Sequence, residues 1–209
     1  MLIIKTIHMR TKLSIIILVI VGLTTLTSFT NKSVRNDKLI VVLDAGHGGK
    51  DKGNQNNYLA EKDISLEIIK RVKELNQNEG IEIILTREGD VDKSFNDRSE
   101  MINSINPDFF ISIHLNNSNN EAINGYEVYH TPEDNEARQL AINFINSLDS
   151  PLKNRGTKEG HYNILRNSHV PGIIYKIGFI SNYHDFNYIV SEEGKQKIVN
   201  DILKFIHQP

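Results

Sequence analysis

The chain has 209 residues, no cysteine and no tryptophan, and its 24 basic and 26 acidic residues leave a formal net charge of −2. Without a thiol there can be no disulfide scaffold, thiolate zinc site, iron–sulfur cluster, cysteine nucleophile or lipidated cysteine anchor. The balanced charge offers no broad basic footprint for nucleic acid. A composition of 24% charged and 39% hydrophobic residues is that of a globular protein, neither disordered nor polytopic.

Residues 1–30 read as an export segment. Lys5, Arg10 and Lys12 precede an apolar run from Leu13 to Leu23, the basic-then-apolar order of a secretory signal. The run is shorter than the about 20 apolar residues of a membrane span and decays into a threonine-rich stretch. No Ala-x-Ala cleavage site follows, so a cleaved signal peptide and an uncleaved anchor both stay open. Either way the protein is expected to be exported to the periplasm or cell envelope, touching membrane only through this segment. A polar linker, residues 31–38, leads into one domain, residues 39–209. Loss of residues 1–30 would remove three positive charges and no negative one, shifting the net charge from −2 to −5.

From Leu39 onward strands and helices alternate. Leu39–Leu43 is a continuous apolar run ending in Asp-Ala-Gly, the signature of a buried strand. Asp63–Asn78 places Ile64, Ile68, Val72 and Leu75 at helical spacing, with Asp63 as N-cap and Gly80 as terminator. Ile81–Leu85 is a second strand. A short helix over Asp97–Ile105 stops before Pro107. Phe109–Ile113 and Gly125–Tyr129 are strands, Pro132–Leu148 a helix, Tyr162–Arg166 and Gly172–Ile177 strands, and Glu192–His207 a closing helix. This alternation predicts a single layered α/β domain, with a largely parallel or mixed sheet flanked by helices.

Candidate chemistry collects at strand ends, where open α/β sheets bind ligands. The first strand runs into Asp44-Ala-Gly-His47-Gly-Gly49, and glycines on both sides let the imidazole project into open space. The third strand ends in Ser112-Ile-His114-Leu-Asn116. Glu61 lies between His47 and the first helix. Two imidazoles and one carboxylate, with a fourth position open, are a catalytic zinc arrangement. Asp44 could then accept from the free ring nitrogen of a ligating histidine, and Asn116 is a second supporting residue. The same residues also read more plainly, as hydrogen-bonded strand-end histidines and a glutamate offsetting a helix dipole. His130, His161, His169, His184 and His207 lack such a context and read as solvated or core polar groups.

Dispersed motifs settle what isolated residues leave open. Residues 41–51 (Val-Val-Leu-Asp-Ala-Gly-His-Gly-Gly-Lys-Asp), Glu61, Leu85-Thr-Arg87 with Asp90, Arg98 with Asn103, residues 108–116, Gly125-Tyr-Glu-Val-Tyr129 and Gly178-Phe-Ile-Ser-Asn182 occur in one order across residues 39–207. In this pattern the chain resembles the zinc-dependent N-acetylmuramoyl-L-alanine amidases, peptidoglycan hydrolases of the amidase-3 type. The resemblance implies one zinc ion bound by His47, Glu61 and His114. It also implies cleavage of the amide between N-acetylmuramic acid and the first L-alanine of the stem peptide. Peptidoglycan is then the partner, with nothing to suggest an obligate oligomer.

One position departs from that pattern. The family carries a catalytic glutamate two residues ahead of the glycine in Gly-Phe-x-Ser-Asn, and here that position is Lys176. An ammonium has no lone pair and cannot act as general base. As a neutral amine Lys176 could accept a proton, as a cation it could steady an oxyanion, and it could also simply snorkel out of the pocket. Glu127 is the weak candidate for a substitute acid. Three functions follow: a working amidase, a zinc-retaining but impaired amidase fold that binds peptidoglycan or regulates a partner, and an exported zinc peptidase of other specificity. The eight residues between Asn116 and Gly125 leave no room for the long inserted helix that blocks the site in some relatives, so an open pocket is expected.

Overall fold

The apolar run at Leu39 forms β1 (Leu39–Ala45), whose last five residues are buried. The computed structural model describes residues 38–56 and 59–208; the expected export segment, and all of the linker but its last residue, lie outside them. After β1 come a two-stranded antiparallel pair, β2 (Gln55–Asn56) and β3 (Leu59–Ala60), then α1 (Glu61–Leu75), β4 (Ile81–Leu85), α2 (Phe95–Ile105), β5 (Phe109–Asn116), β6 (Tyr126–His130) and α3 (Asn135–Ser147). The chain continues through β7 (Asn154–Glu159), α4 (Asn163–Asn167), β8 (Gly172–Phe179), α5 (Tyr183–Val190) and α6 (Glu192–Ile206). Among the described residues no helix is long and apolar enough to cross a membrane.

Six strands form one mixed sheet in the order β4-β1-β5-β8-β6-β7. The first four run parallel, β6 is antiparallel to β8, and β7 is parallel to β6. Because side chains alternate along a strand, β1, β5 and β8 feed two separate cores. Val41, Leu43, Ile111, Ile113, Ile173 and Tyr175 pack into the larger, with α1, α3 and α6. Val42, Phe110 and Ile174 face a smaller cluster closed by Ile102 of α2 and Ile164 and Leu165 of α4. The thinly covered face is the one that carries His114, Lys176 and Glu127, which stand in one row across β5, β8 and β6.

Several elements differ from expectation. The predicted strand at Tyr162–Arg166 is helix α4. Ile164 and Leu165 are adjacent and both buried, a pattern that one helical turn satisfies and a one-faced strand does not. The strand that exists there is β7, whose Asn-Arg-Gly-Thr-Lys-Glu sequence carries no apolar alternation because it is a half-exposed edge pairing only with β6. Helix α5 has no predicted counterpart; the Asn182 side chain caps it by accepting from the backbone N–H groups of His184 and Asp185. Helix α1 begins at Glu61, so Asp63 lies within its first turn and is not its N-cap. Helix α2 begins earlier than expected, behind a capping box of Ser94 and Asp97.

One row below His114 the same face buries a charge pair. Asp44 is 1% exposed and accepts from Thr86 Oγ1, Ser112 Oγ and an Arg98 guanidinium nitrogen, each at 2.6 Å. Burial alone would raise its pKa, but Arg98 and the two hydroxyls outweigh burial and hold it below the ordinary carboxylate range. Its contribution to stability is therefore present at neutral pH and lost as the pH falls. Asp44→Asn keeps the shape and strands the Arg98 charge. A loss of about 3–5 kcal/mol is expected, on the order of a 10 °C drop in melting temperature for a domain this size, read by thermal denaturation at neutral pH.

Candidate metal centre

The site is set by a loop whose backbone is gripped from below. Arg98 donates to the carbonyls of Ala45 and His47, and Arg87 to those of Ala45, Gly46 and Lys62. From the other side Asp90 and Asp92 accept from the Gly49 and Lys50 N–H groups at 2.7 and 3.0 Å. Within this grip His47 takes a left-handed backbone, φ 62°, a conformation that costs a non-glycine residue energy and persists only where its surroundings enforce it. Gly46 is required for a different reason: a Cβ there would lie 2.3 Å from the His114 ring.

The two histidines meet over Glu61. The Glu61 side chain is 1% exposed, and its Oε1 lies 3.2 Å from His47 Nε2 and 2.8 Å from His114 Nδ1. Oε1 also accepts from the Leu115 N–H at 2.8 Å, and Oε2 accepts from the Asn54 backbone and side-chain N–H groups at 2.9 and 2.8 Å. Burial pushes this carboxyl up, yet the bonds from His114 and His47 overcome it and hold the group ionised, well below the usual range. The other ring nitrogen of His47, Nδ1, is bonded to Asp51 Oδ2 at 2.8 Å. Asp51 is itself fixed by the Gly53 N–H. Ligand atoms of His47, Glu61 and His114 all lie within 4.8 Å of one another. Two nitrogens and one oxygen, opening on a cavity of about 380 Å³, suit a three-ligand metal centre with room for substrate.

Asp44 does not support these histidines as expected. Its oxygens are taken by Thr86, Ser112 and Arg98, and Asp51 holds the free nitrogen of His47. The sequence signal for Asp51 was its position four residues after His47, across a turn that Gly48 and Gly49, both at positive φ, make possible. Asn116 does not support a candidate ligand either: its amide donates to Glu127 at 2.8 Å and its oxygen lies 3.4 Å from Lys176 Nζ. Lys176 lines the cavity with the three candidate ligands, so it points in and not out to solvent. Glu127 does not line it. That carboxylate is 2% exposed and takes bonds from Lys158, Arg155, Tyr129 and Asn116. These outweigh burial and hold its pKa down at about 2, which makes it a poor proton acceptor near neutrality. Exposed Phe95 stands at the mouth, and His161, with a side chain 64% exposed, at the rim. Residues 117–124 form no helix.

An α/β domain with a His-Glu-His group at the carboxyl ends of parallel strands defines a candidate metal-dependent hydrolase. The family model for N-acetylmuramoyl-L-alanine amidase matches residues 41–208, and the chain belongs to that family. It is 34% identical over 170 residues to YqiI of Bacillus subtilis (strain 168), covering 79% of this chain and 82% of that one. It is 33% identical over 154 residues to the sporulation-specific N-acetylmuramoyl-L-alanine amidase of the same organism, covering 70% of this chain but 58% of the relative. The solved structure of the N-acetylmuramoyl-L-alanine amidase AmiC2 of Nostoc punctiforme superposes with a TM-score of 0.73 at 34% identity, over 80% of this chain and 94% of that one. The chain thus spans little more than half of the longer curated relative.

The position of Asp51 gives the site its first test. Asp51→Ala frees the His47 ring to rotate and removes the acceptor that fixes its tautomer. Binding of added Zn²⁺, titrated against a chromogenic chelator, is expected to weaken about 10- to 100-fold with the fold intact.

Proposed function

We propose that the protein is an exported, zinc-dependent N-acetylmuramoyl-L-alanine amidase, hydrolysing the amide between N-acetylmuramic acid and L-alanine in the peptidoglycan of the cell envelope. The observation that carries this reading is the His47–Glu61–His114 group opening on a cavity at the strand ends of a domain of this family. The donor set, two imidazoles and a carboxylate, suits zinc among the common divalent ions. A zinc ion held there would supply Lewis-acid polarisation of the scissile carbonyl and make water acidic enough to attack near neutral pH. Asp51 keeps the His47 tautomer that leaves Nε2 free for the metal, and the Leu115 and Asn54 donors keep Glu61 from turning away. Peptidoglycan lies outside the cytoplasmic membrane, which accords with an export segment over residues 1–30.

The structure also favours a second reading, reduced turnover. Among the described residues lining the cavity, Glu61 is the one carboxylate, and both of its oxygens are already engaged. Lys176 occupies the position of the family's proton carrier, and Glu127 is locked among cations. We infer that proton transfer is the weak step and that the chain binds peptidoglycan better than it cleaves it.

Purified murein incubated with the full, zinc-loaded chain tests both readings by mass spectrometry of the soluble products. Stem peptides with a free L-alanine amino terminus are expected from the wild type and are lost in His114→Ala. Lys176→Glu should raise the rate about 10²- to 10⁴-fold, the usual worth of a general acid–base group. Release from neither wild type nor Lys176→Glu, or cleavage at another bond, would contradict the amidase reading. Brisk wild-type release with no gain from Lys176→Glu would contradict reduced turnover.

A further inference from the structure

Lys176 is an unmatched cation inside the cavity. Its Cα partner across β6 is Glu127, yet that carboxylate bonds to Arg155 and Lys158. No carboxylate among the described residues lies within ion-pair distance of Lys176 Nζ. The row running from the metal centre toward the sheet edge therefore holds three cations around one carboxylate. Nζ sits 5.3 Å from the Tyr129 ring centroid and 5.4 Å from that of Tyr162, with Asn116 Oδ1 at 3.4 Å as its one hydrogen-bond acceptor among the described residues. Two aromatic faces hold a cation in place without using its hydrogens. An ammonium has three N–H donors, so two remain for a ligand in the cavity.

The place of Lys176 on the sheet, next to a candidate metal ligand and lining the same cavity, selects the ligand. Lys176 is the Cα partner of His114 on the adjacent parallel strand, a lateral step of about 5 Å. In a stem peptide whose second residue is a glutamate linked through its γ-carboxyl, the free α-carboxylate stands about 6 Å from the scissile amide nitrogen along an extended backbone. We propose that Lys176, held between Tyr129 and Tyr162, is a specificity residue that binds the carboxylate of the second stem residue, so that the protein selects stems carrying the free acid over stems in which it is amidated. This rests on the amidase reading for its substrate. The lysine that weakens proton transfer then serves recognition, and Arg155 and Lys158 contribute by occupying Glu127 so that it cannot neutralise Lys176.

Two muramyl dipeptides, identical except that the second residue bears an α-carboxylate or an α-carboxamide, test the proposal by calorimetric titration of the full chain. Chelator-treated protein is used so that binding is read without hydrolysis, which separates this outcome from the murein assay. The wild type is expected to prefer the acid about 10- to 100-fold, the worth of a charge-assisted hydrogen bond, and the preference should shrink with added salt. Lys176→Met should bind both ligands with the affinity the wild type shows for the amide, and Lys176→Arg should keep most of the preference. Melting temperatures establish that both variants are folded. Equal wild-type affinity for the two dipeptides, binding of neither, or a preference that survives in Lys176→Met would overturn the proposal, even if murein is cleaved as expected.

Discussion

The Glu61 carboxylate is the point on which the site depends. It is nearly inaccessible to water, and five contacts from three parts of the chain converge on it: His47 from the loop after β1, His114 and the Leu115 N–H from β5, and both nitrogens of Asn54 from the segment before β2. An ionised carboxylate buried to this degree is tolerable only when its lone pairs are satisfied. Here the backbone N–H groups of Leu115 and Asn54 satisfy them in a direction that leaves the edge of Oε1 facing two ring nitrogens. Gly53 belongs to the same arrangement, since a Cβ there would lie 2.8 Å from Glu61 Oε2 and 2.6 Å from the His47 ring. The first residue of α1 thereby ties helix, loop and strand into one geometry.

That geometry sits on the thin face of an asymmetric sheet. The opposite face is closed by three long helices over a large apolar core, which supplies most of the burial that holds the domain together. The site face carries only α2 and the single turns of α4, so the row of His114, Lys176 and Glu127 is left open toward the edge strand. Stiffness there comes from charge and not from packing. Arg87 and Arg98 bind successive carbonyls of the loop after β1, and Asp44 in turn holds Arg98. A strained histidine backbone can be kept in place by four such bonds where a covering helix would have closed the cavity.

Much of this was legible in the sequence, for identifiable reasons. Buried parallel strands announce themselves as apolar runs, unbroken over Leu39–Leu43 in β1 and interrupted by Ser112 in β5 and by Lys176 in β8. His47 and His114 stood out because each follows such an apolar run, and Glu61 because it stands just ahead of the first helical pattern. What escaped notice lacked a periodic signal. Strand β7 is polar because both its faces are partly exposed, and α4 is a single turn whose two apolar residues mimic a strand. The choice of Asp44 over Asp51 was a matter of direction: Asp44 is still within β1, where its side chain is committed to the Ser112 and Thr86 row, whereas Asp51 lies beyond the glycine turn that brings it back against His47. Lys176 was visible as a departure from the family pattern. Its inward direction could be learned only from the pairing of β8 with β5.

The departure and the site belong to one proposal, in which His47, Glu61 and His114 hold a metal ion beside a lysine that stands where the family pattern has a glutamate. That proposal stands on the three residues holding a zinc ion. Anomalous diffraction at the zinc edge, from crystals of the full chain grown with Zn²⁺, measures this directly. The account expects one dominant peak bounded by His47 Nε2, His114 Nδ1 and a Glu61 oxygen, at about 2.0–2.2 Å from each. A zinc-containing crystal with no peak there, or with its peak at other residues, would contradict it.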